Sequence, residues 1–187
     1  MALSRASLPA FAASLAELEG NPWYPYPHLV FCAERIIEAI RRPGGGRLII
    51  TIPPRNGKSR LVSHYLPAYF LESAPELHVM LASYGDSLAQ EWGRKVRDSF
   101  RLPALHTKVR QDVSATTRWE TAEGGGMVTV GVGGPAMGRG GDLLVCDDPH
   151  KSWDEAQSPV VRRTLQEWFT GTFMSRAEPG ATVVIIQ

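Results

Sequence analysis

Apolar positions recur at helical spacing over residues 7–19 and again over residues 29–42. In the second stretch Val30, Ala33, Ile36, Ile37 and Ile40 share one face, while Glu34, Arg35, Glu38 and Arg41 fall elsewhere. Gly20-Asn21-Pro22 ends the first helix and Pro43-Gly44-Gly45-Gly46 the second. The pattern then changes. Residues 48–52 (LIITI) are an apolar, β-branched run stopped by Pro53-Pro54, which predicts a buried strand. A helix over residues 58–70 follows, then a second buried strand over 77–83 (LHVMLAS) and a helix over 87–100. Residues 102–120 hold neither period and read as irregular. Trp119, a small-residue stretch and then the run 127–132 predict a strand or hairpin arm, and residues 143–146 predict another buried strand. Ser152 with Glu155 three positions on is a capping box opening a helix that runs to residue 174. Glu178-Pro179-Gly180 turns the chain into a last strand over 182–186. Strands alternating with helices predict an α/β fold with a mostly parallel sheet flanked by helices.

At 187 residues, 43% hydrophobic and 21% charged, the chain can bury the core of one domain. Twenty Lys and Arg against nineteen Asp and Glu leave a formal net charge of +1, so no broad electrostatic footprint for nucleic acid is present. Contact with DNA must be local, transient or supplied by another domain or subunit. Cys32 and Cys146 stand far apart in apolar settings and read as free thiols; no CxxC or Cys/His cluster supports zinc. The N-terminus lacks the apolar core of a secretory signal and no run is long enough to span a membrane, so a soluble intracellular protein is expected.

The chemistry concentrates in Pro53-Pro54-Arg55-Asn56-Gly57-Lys58-Ser59, between a strand and a helix. Strand, tight loop, Gly-Lys-Ser and helix is the order in which a P-loop presents itself, the other reading being an ordinary helix N-terminus. In a P-loop the backbone N–H groups after Pro54, those of residues 55–59, and the helix dipole face an anion. Lys58 would reach the β- and γ-phosphates of ATP and the Ser59 hydroxyl would ligate Mg²⁺. The match to G-x-x-x-x-G-K-[ST] is incomplete, because Ile52 stands where the first glycine belongs. The apolar run 143–146 ends in Asp147-Asp148; an acidic residue at the C-terminal edge of a buried parallel strand lies beside such a loop, where Asp147 can hold Mg²⁺ through Ser59 or water. Upstream, the segment NPWYPYPHLVF is either a proline-stiffened connector or a platform for the adenine ring edged by Trp23, Tyr24, Tyr26 or His28. The division expected is therefore an N-terminal helical, adenine-side segment (1–46) and a P-loop core (47–187). The glycine-rich run 131–141 precedes a strand, so it is no dinucleotide fingerprint; it reads as a mobile loop bringing Arg139 to a site. Arg94, Lys95 and Arg97 read as a solvated helix face.

These stretches in this order resemble a known family. PPRNGKS after an Ile-rich strand, LASYGDSLAQEWGRKVRD, GVGGPAMGRGGDLLVCDDPHKS and DEAQSP with the later EPGATVVII are similar to the large terminase subunit of tailed bacteriophages and prophages. The resemblance runs from about Trp23 to the last residue. It implies an additional-strand (ASCE), RecA-like P-loop ATPase that powers DNA packaging, in which the P-loop strand and the acidic strand are central and the strand over 182–186 lies beside them. It makes Lys58 and Ser59 the phosphate and Mg²⁺ residues, Asp147 the Walker B carboxylate, and Asp148 the counterpart of a catalytic Glu, one methylene shorter. The family's loop often lacks the first glycine. Arg139 and Arg55 are the candidates for stabilising charge on the γ-phosphate, with Arg94 and Arg97 as alternatives serving a neighbouring subunit; Glu155 is the substitute base. The implied partners are double-stranded DNA (bound weakly in isolation), a small terminase subunit, a portal protein and further copies in a ring, in the host bacterial cytoplasm and transiently at the procapsid portal. The sequence stops short of the family's coupling motif and nuclease. Two other readings stay open: the first lobe of a helicase-like ATPase, because Asp147-Asp148-Pro149-His150 echoes a D-E-x-H box, and a non-catalytic nucleotide-binding assembly module.

Overall fold

The computed structural model describes residues 3–136 and 140–187. Two N-terminal helices, α1 (Leu8–Leu18) and α2 (Pro27–Arg41), precede strand β1 (Arg47–Ile50). After the loop over 51–57 the chain enters one helical rod, π-helical over Arg60–Tyr65 and α-helical over Leu66–Ser73 (α3). Then come β2 (His78–Ser83), α4 (Asp86–Ser99), β3 (Val109–Ser114), β4 (Arg118–Thr121), β5 (Gly126–Gly131) and β6 (Gly141–Asp147). Helices α5 (Trp153–Gln157) and α6 (Pro159–Trp168) lead through a short π and 3-10 stretch into β7 (Ala177–Ile186).

The strands form one seven-stranded sheet in the order β1-β7-β6-β2-β5-β4-β3. The first five are parallel; β5-β4-β3 is an antiparallel meander. Strand β7 is inserted between the strand that feeds the loop and the strand that carries Asp147, which is the additional-strand arrangement of a RecA-like P-loop NTPase. Strand β1, expected in the middle, is instead the outermost of the parallel strands, with only β7 beside it.

Alternation along the central strands serves two cores, as expected of a sheet covered on both faces. Leu143 and Val145 of β6 join Leu15, Ile36, Leu61 and Tyr65 under α1–α4. Leu144 and Cys146 face the other way, onto Trp168 and Phe173. The N-terminal helices thus share a core with the sheet.

Three further expectations are corrected. Residues 102–120 are not wholly irregular, because β3 and the start of β4 lie within them, pinned by Arg110 and Arg118 on Glu120 at 3.0 and 2.7 Å. The single helix over 152–174 is broken: Ser158 precedes Pro159, takes an extended backbone (φ −71°, ψ 117°) and caps α6 through Val161 N–H. Glu178-Pro179-Gly180 does not precede the last strand but lies inside β7, whose pairing with β6 starts at Ala177 and is irregular across that stretch.

Both cysteines are free, Cys146 buried and Cys32 half-buried. Among the described residues no helix is long and apolar enough to cross a membrane.

Candidate nucleotide site

Parallel strands present their C-terminal ends at one edge, and the site forms there. Ile50 of β1 pairs with Ile186 of β7, Ile186 with Asp147 of β6, and Asp147 with Ser83 of β2, so the four chains leave the sheet at one level. Ile52 still follows this register, donating its N–H to Gln187 O at 3.0 Å, while Gln187 N–H reaches Ile50 O at 3.1 Å. Position 52 is therefore strand-like, and a β-branched residue suits it. The left-handed turns fall later, at Arg55 (φ 65°) and Gly57 (φ 81°). The left-handed φ calls for glycine at 57, and a Cβ there would also press on Leu29 Cδ1 at 3.0 Å. Asn56 ties the loop by donating from Nδ2 to Pro53 O and Pro54 O, both at 3.1 Å, and its own carbonyl lies 3.1 Å from His28 Nε2.

Asp148 also takes a left-handed backbone (φ 46°), which short polar side chains tolerate better than most. In a straight strand consecutive side chains point to opposite faces. Here the turn lets both carboxylates meet the loop and its helix. Ser59 donates to Asp147 Oδ1 at 3.0 Å, Ser63 donates to Asp147 Oδ2 at 2.8 Å, and Lys58 Nζ lies 2.5 Å from Asp148 Oδ1. Lys58 and Asp147 are buried, whereas the Asp148 side chain is 40% exposed. Burial pushes the Asp147 carboxyl up to about 6 and the Asp148 charge adds to this, against the Ser63 and Ser59 hydroxyls and the Lys58 ammonium. Burial, with the two carboxylates beside it, holds the Cys146 thiol up at about 12, which makes it an inert core residue.

Over these groups opens a cleft of about 1240 Å³. Its walls include residues 51–60, Asp148-Pro149-His150, Trp153 and Gln187, and on the other side Trp23, Tyr24, Tyr26, His28 and Leu29. The Tyr26 and His28 rings are stacked, 6.1 Å between centroids and 7° from parallel, and Tyr24 and Tyr26 are 57% exposed or more. Three lining side chains keep buried ring nitrogens without a hydrogen-bond partner: Trp23 Nε1, Trp92 Nε1 and His150 Nε2. Buried polar groups are ordinarily paired, so this wall suits a polar ligand. A row of loop amides with a buried lysine fits an anion. Among the described residues no group of three or more His, Cys, Asp and Glu could hold a metal ion. Ser59 and Asp147 could therefore hold a hard cation only when oxygens of a ligand and water complete the shell.

Tyr26, His28, residues 54–59 and Asp148 line this cleft, and Asp147 touches it through Ser59. Arg139 lies outside the described residues. Arg55 is exposed on the cleft wall. Arg94 and Arg97 line no part of it, and Arg97 is no solvated side chain: it is 13% exposed and bound to Asp98 and to Ser114 O. Glu155 also lies outside the cleft lining, its Oε2 accepting Lys151 N–H at 2.9 Å in the helix cap. Sequence reasoning missed Ser63 and Arg60. The latter lines the cleft and clamps the N-terminal segment to the loop helix through Asn21 O at 2.6 Å and Tyr65 Oη at 2.5 Å. The signal for Ser63 was its place four residues after Ser59; nothing in sequence marked Arg60.

No protein-family model matches the sequence, and no curated protein matches it. Among solved structures the fold is similar to the crystal structure of the HK97 bacteriophage large terminase, with a TM-score of 0.62 and 14% sequence identity. The match covers 98% of this chain and 38% of the terminase chain. At that identity the likeness is one of fold: this chain has a terminase-like α/β fold and spans well under half the length of the protein it resembles.

Proposed function

We propose that the chain is an ATP-hydrolysing motor unit of the kind found in phage DNA-packaging terminases, acting on Mg²⁺-ATP at the C-terminal edge of the sheet. The observation that carries the reading is the convergence of Lys58 and Ser59, from the loop after β1, on Asp148 and Asp147, from a strand two places away. The loop amides and Lys58 would bind the β- and γ-phosphates, and Ser59 and Asp147 would hold the cation. Bound Mg²⁺ neutralises charge on the phosphate oxygens in such sites. Asp148 would orient a water and accept its proton, once a phosphate draws Lys58 away from it. Arg55, and Arg139 of the glycine-rich run, are the arginines assigned to the γ-phosphate. The Tyr26–His28 stack offers the base a flat surface. The same reading assigns duplex DNA, a small terminase subunit, a portal protein and further copies in a ring as partners, in the bacterial cytoplasm.

A second reading, a nucleotide-binding assembly module without turnover, is favoured by one observation: Asp148 is engaged by Lys58, so its water-orienting role is blocked while that pair holds. Binding is common to both readings. Lys58→Ala is expected to weaken Mg²⁺-ATP binding roughly 10- to 150-fold, the equivalent of about 1.5–3 kcal/mol for a charge-assisted contact. Titration of a fluorescent ATP analogue against both proteins measures it. Equal affinities would reduce Gly57-Lys58-Ser59 to an ordinary helix start and remove both readings.

A further inference from the structure

We infer that Ser63 is a positioning residue for the cation site: it holds the Asp147 carboxylate in the one orientation that presents Oδ1 to Ser59. The inference rests on the Mg²⁺-nucleotide reading above. Ser63 is fully buried, and its hydroxyl donates to Asp147 Oδ2 at 2.8 Å, across a sequence separation of 84 residues. Ser59 donates to the other oxygen, Oδ1, at 3.0 Å. The two serines stand four residues apart on the loop helix, Ser59 just before its π-helical stretch Arg60–Tyr65 and Ser63 within it. Such stretches are rare and concentrate at functional sites; widening the turn brings residues four apart closer to one line along the helix. One helical face therefore grips both oxygens of a single carboxylate.

The two grips differ in what a ligand does to them. Ser59 lies in the cleft wall and would turn its lone pair to the cation. Ser63 does not line the cleft, so its bond to Oδ2 is independent of ligand. It fixes the rotation of the carboxylate about its terminal bond, a torsion that is otherwise broad. Partners of this kind, behind the groups that touch a metal, typically change metal affinity 10- to 100-fold when removed. A merely structural serine would leave metal affinity alone.

The test uses the full chain and Mn²⁺ as the probe, with free Mn²⁺ read by electron paramagnetic resonance in the presence of a slowly hydrolysed ATP analogue. Ser63→Ala is expected to weaken nucleotide-dependent Mn²⁺ binding about 10- to 100-fold while leaving affinity for the analogue in chelator unchanged. Ser63→Cys, which is somewhat larger and leaves no void but replaces the strong hydroxyl donor with a weak thiol one, should show the same loss, and it carries the test if the alanine variant folds poorly. Ser59→Ala and Asp147→Asn are the references. If those two weaken Mn²⁺ binding and Ser63→Ala and Ser63→Cys do not, the positioning role is overturned and the nucleotide reading stands. If wild-type protein shows no nucleotide-dependent Mn²⁺ binding, both fall together.

Discussion

Asp148→Asn is expected to keep nucleotide binding and to lower turnover by roughly 10²- to 10⁴-fold, the range for loss of a positioned general base. The amide conserves shape, so the left-handed turn at φ 46° and the backbone bond from Asp148 N–H to Ile186 O at 2.9 Å should survive. It removes the charge that pairs with Lys58. A γ-phosphate competes with Asp148 for that ammonium, so affinity for a slowly hydrolysed ATP analogue should rise as turnover falls. Opposite movement of the two quantities is the diagnostic, read by titration and by single-turnover phosphate release. Parallel loss of both would mean that Asp148 shapes the binding site without acting on water. Glu155 is not expected to substitute, because it is held in the cap of α5 away from the cleft.

Asp147 gives the second large effect, and it appears without metal or nucleotide. Burial raises its carboxyl from an ordinary 3.8 to about 6, so between those values the folded chain binds more protons than the unfolded one. The stabilising contribution of this group is fully present below the ordinary value and is lost as pH rises through about 6. The gap corresponds to roughly 3 kcal/mol as an upper bound. Asp147→Asn cannot ionise; its one carbonyl oxygen accepts from one of the two serines, and its NH₂ faces the other hydroxyl, which can turn to accept. In chelator at pH 7 the variant is expected to unfold at a higher temperature than wild type, with the advantage vanishing towards pH 4. The two proteins differ at this position alone, so the difference between their melting curves is the quantity to follow. Parallel curves across that range would contradict the assignment. With nucleotide added, the same substitution should make binding indifferent to Mg²⁺.

Much of this site was legible in the sequence because local chemistry writes it locally. An apolar run stopped by Pro53-Pro54, then Gly57 and a lysine at a helix start, mark the tight strand-to-helix loop, and the structure puts its left-handed turn at Gly57 (φ 81°). Four apolar residues ending in two aspartates declare a buried strand with an acidic end. The β3–β4 hairpin was not legible: β3 is an edge strand, half exposed along its length, and its Arg110, Gln111 and Asp112 obscure any alternation. The break at Ser158-Pro159 carried a signal that a long apolar pattern outweighed. Pairings across distance left no local mark. Lys58 with Asp148, Ser63 with Asp147 and Arg97 with Ser114 are consequences of strand order, and sequence reading placed Arg97 in solvent for that reason.

The proposed function requires that this cleft hydrolyse ATP. The most direct measurement is steady-state phosphate release by the purified chain in Mg²⁺-ATP, over a series of protein concentrations, with and without duplex DNA, and beside the Asp148→Asn variant. Slow release is expected, lowered by Asp148→Asn and rising per molecule with concentration, as neighbours supply arginines. Release undiminished in the variant, or fast turnover independent of concentration, would contradict the proposal.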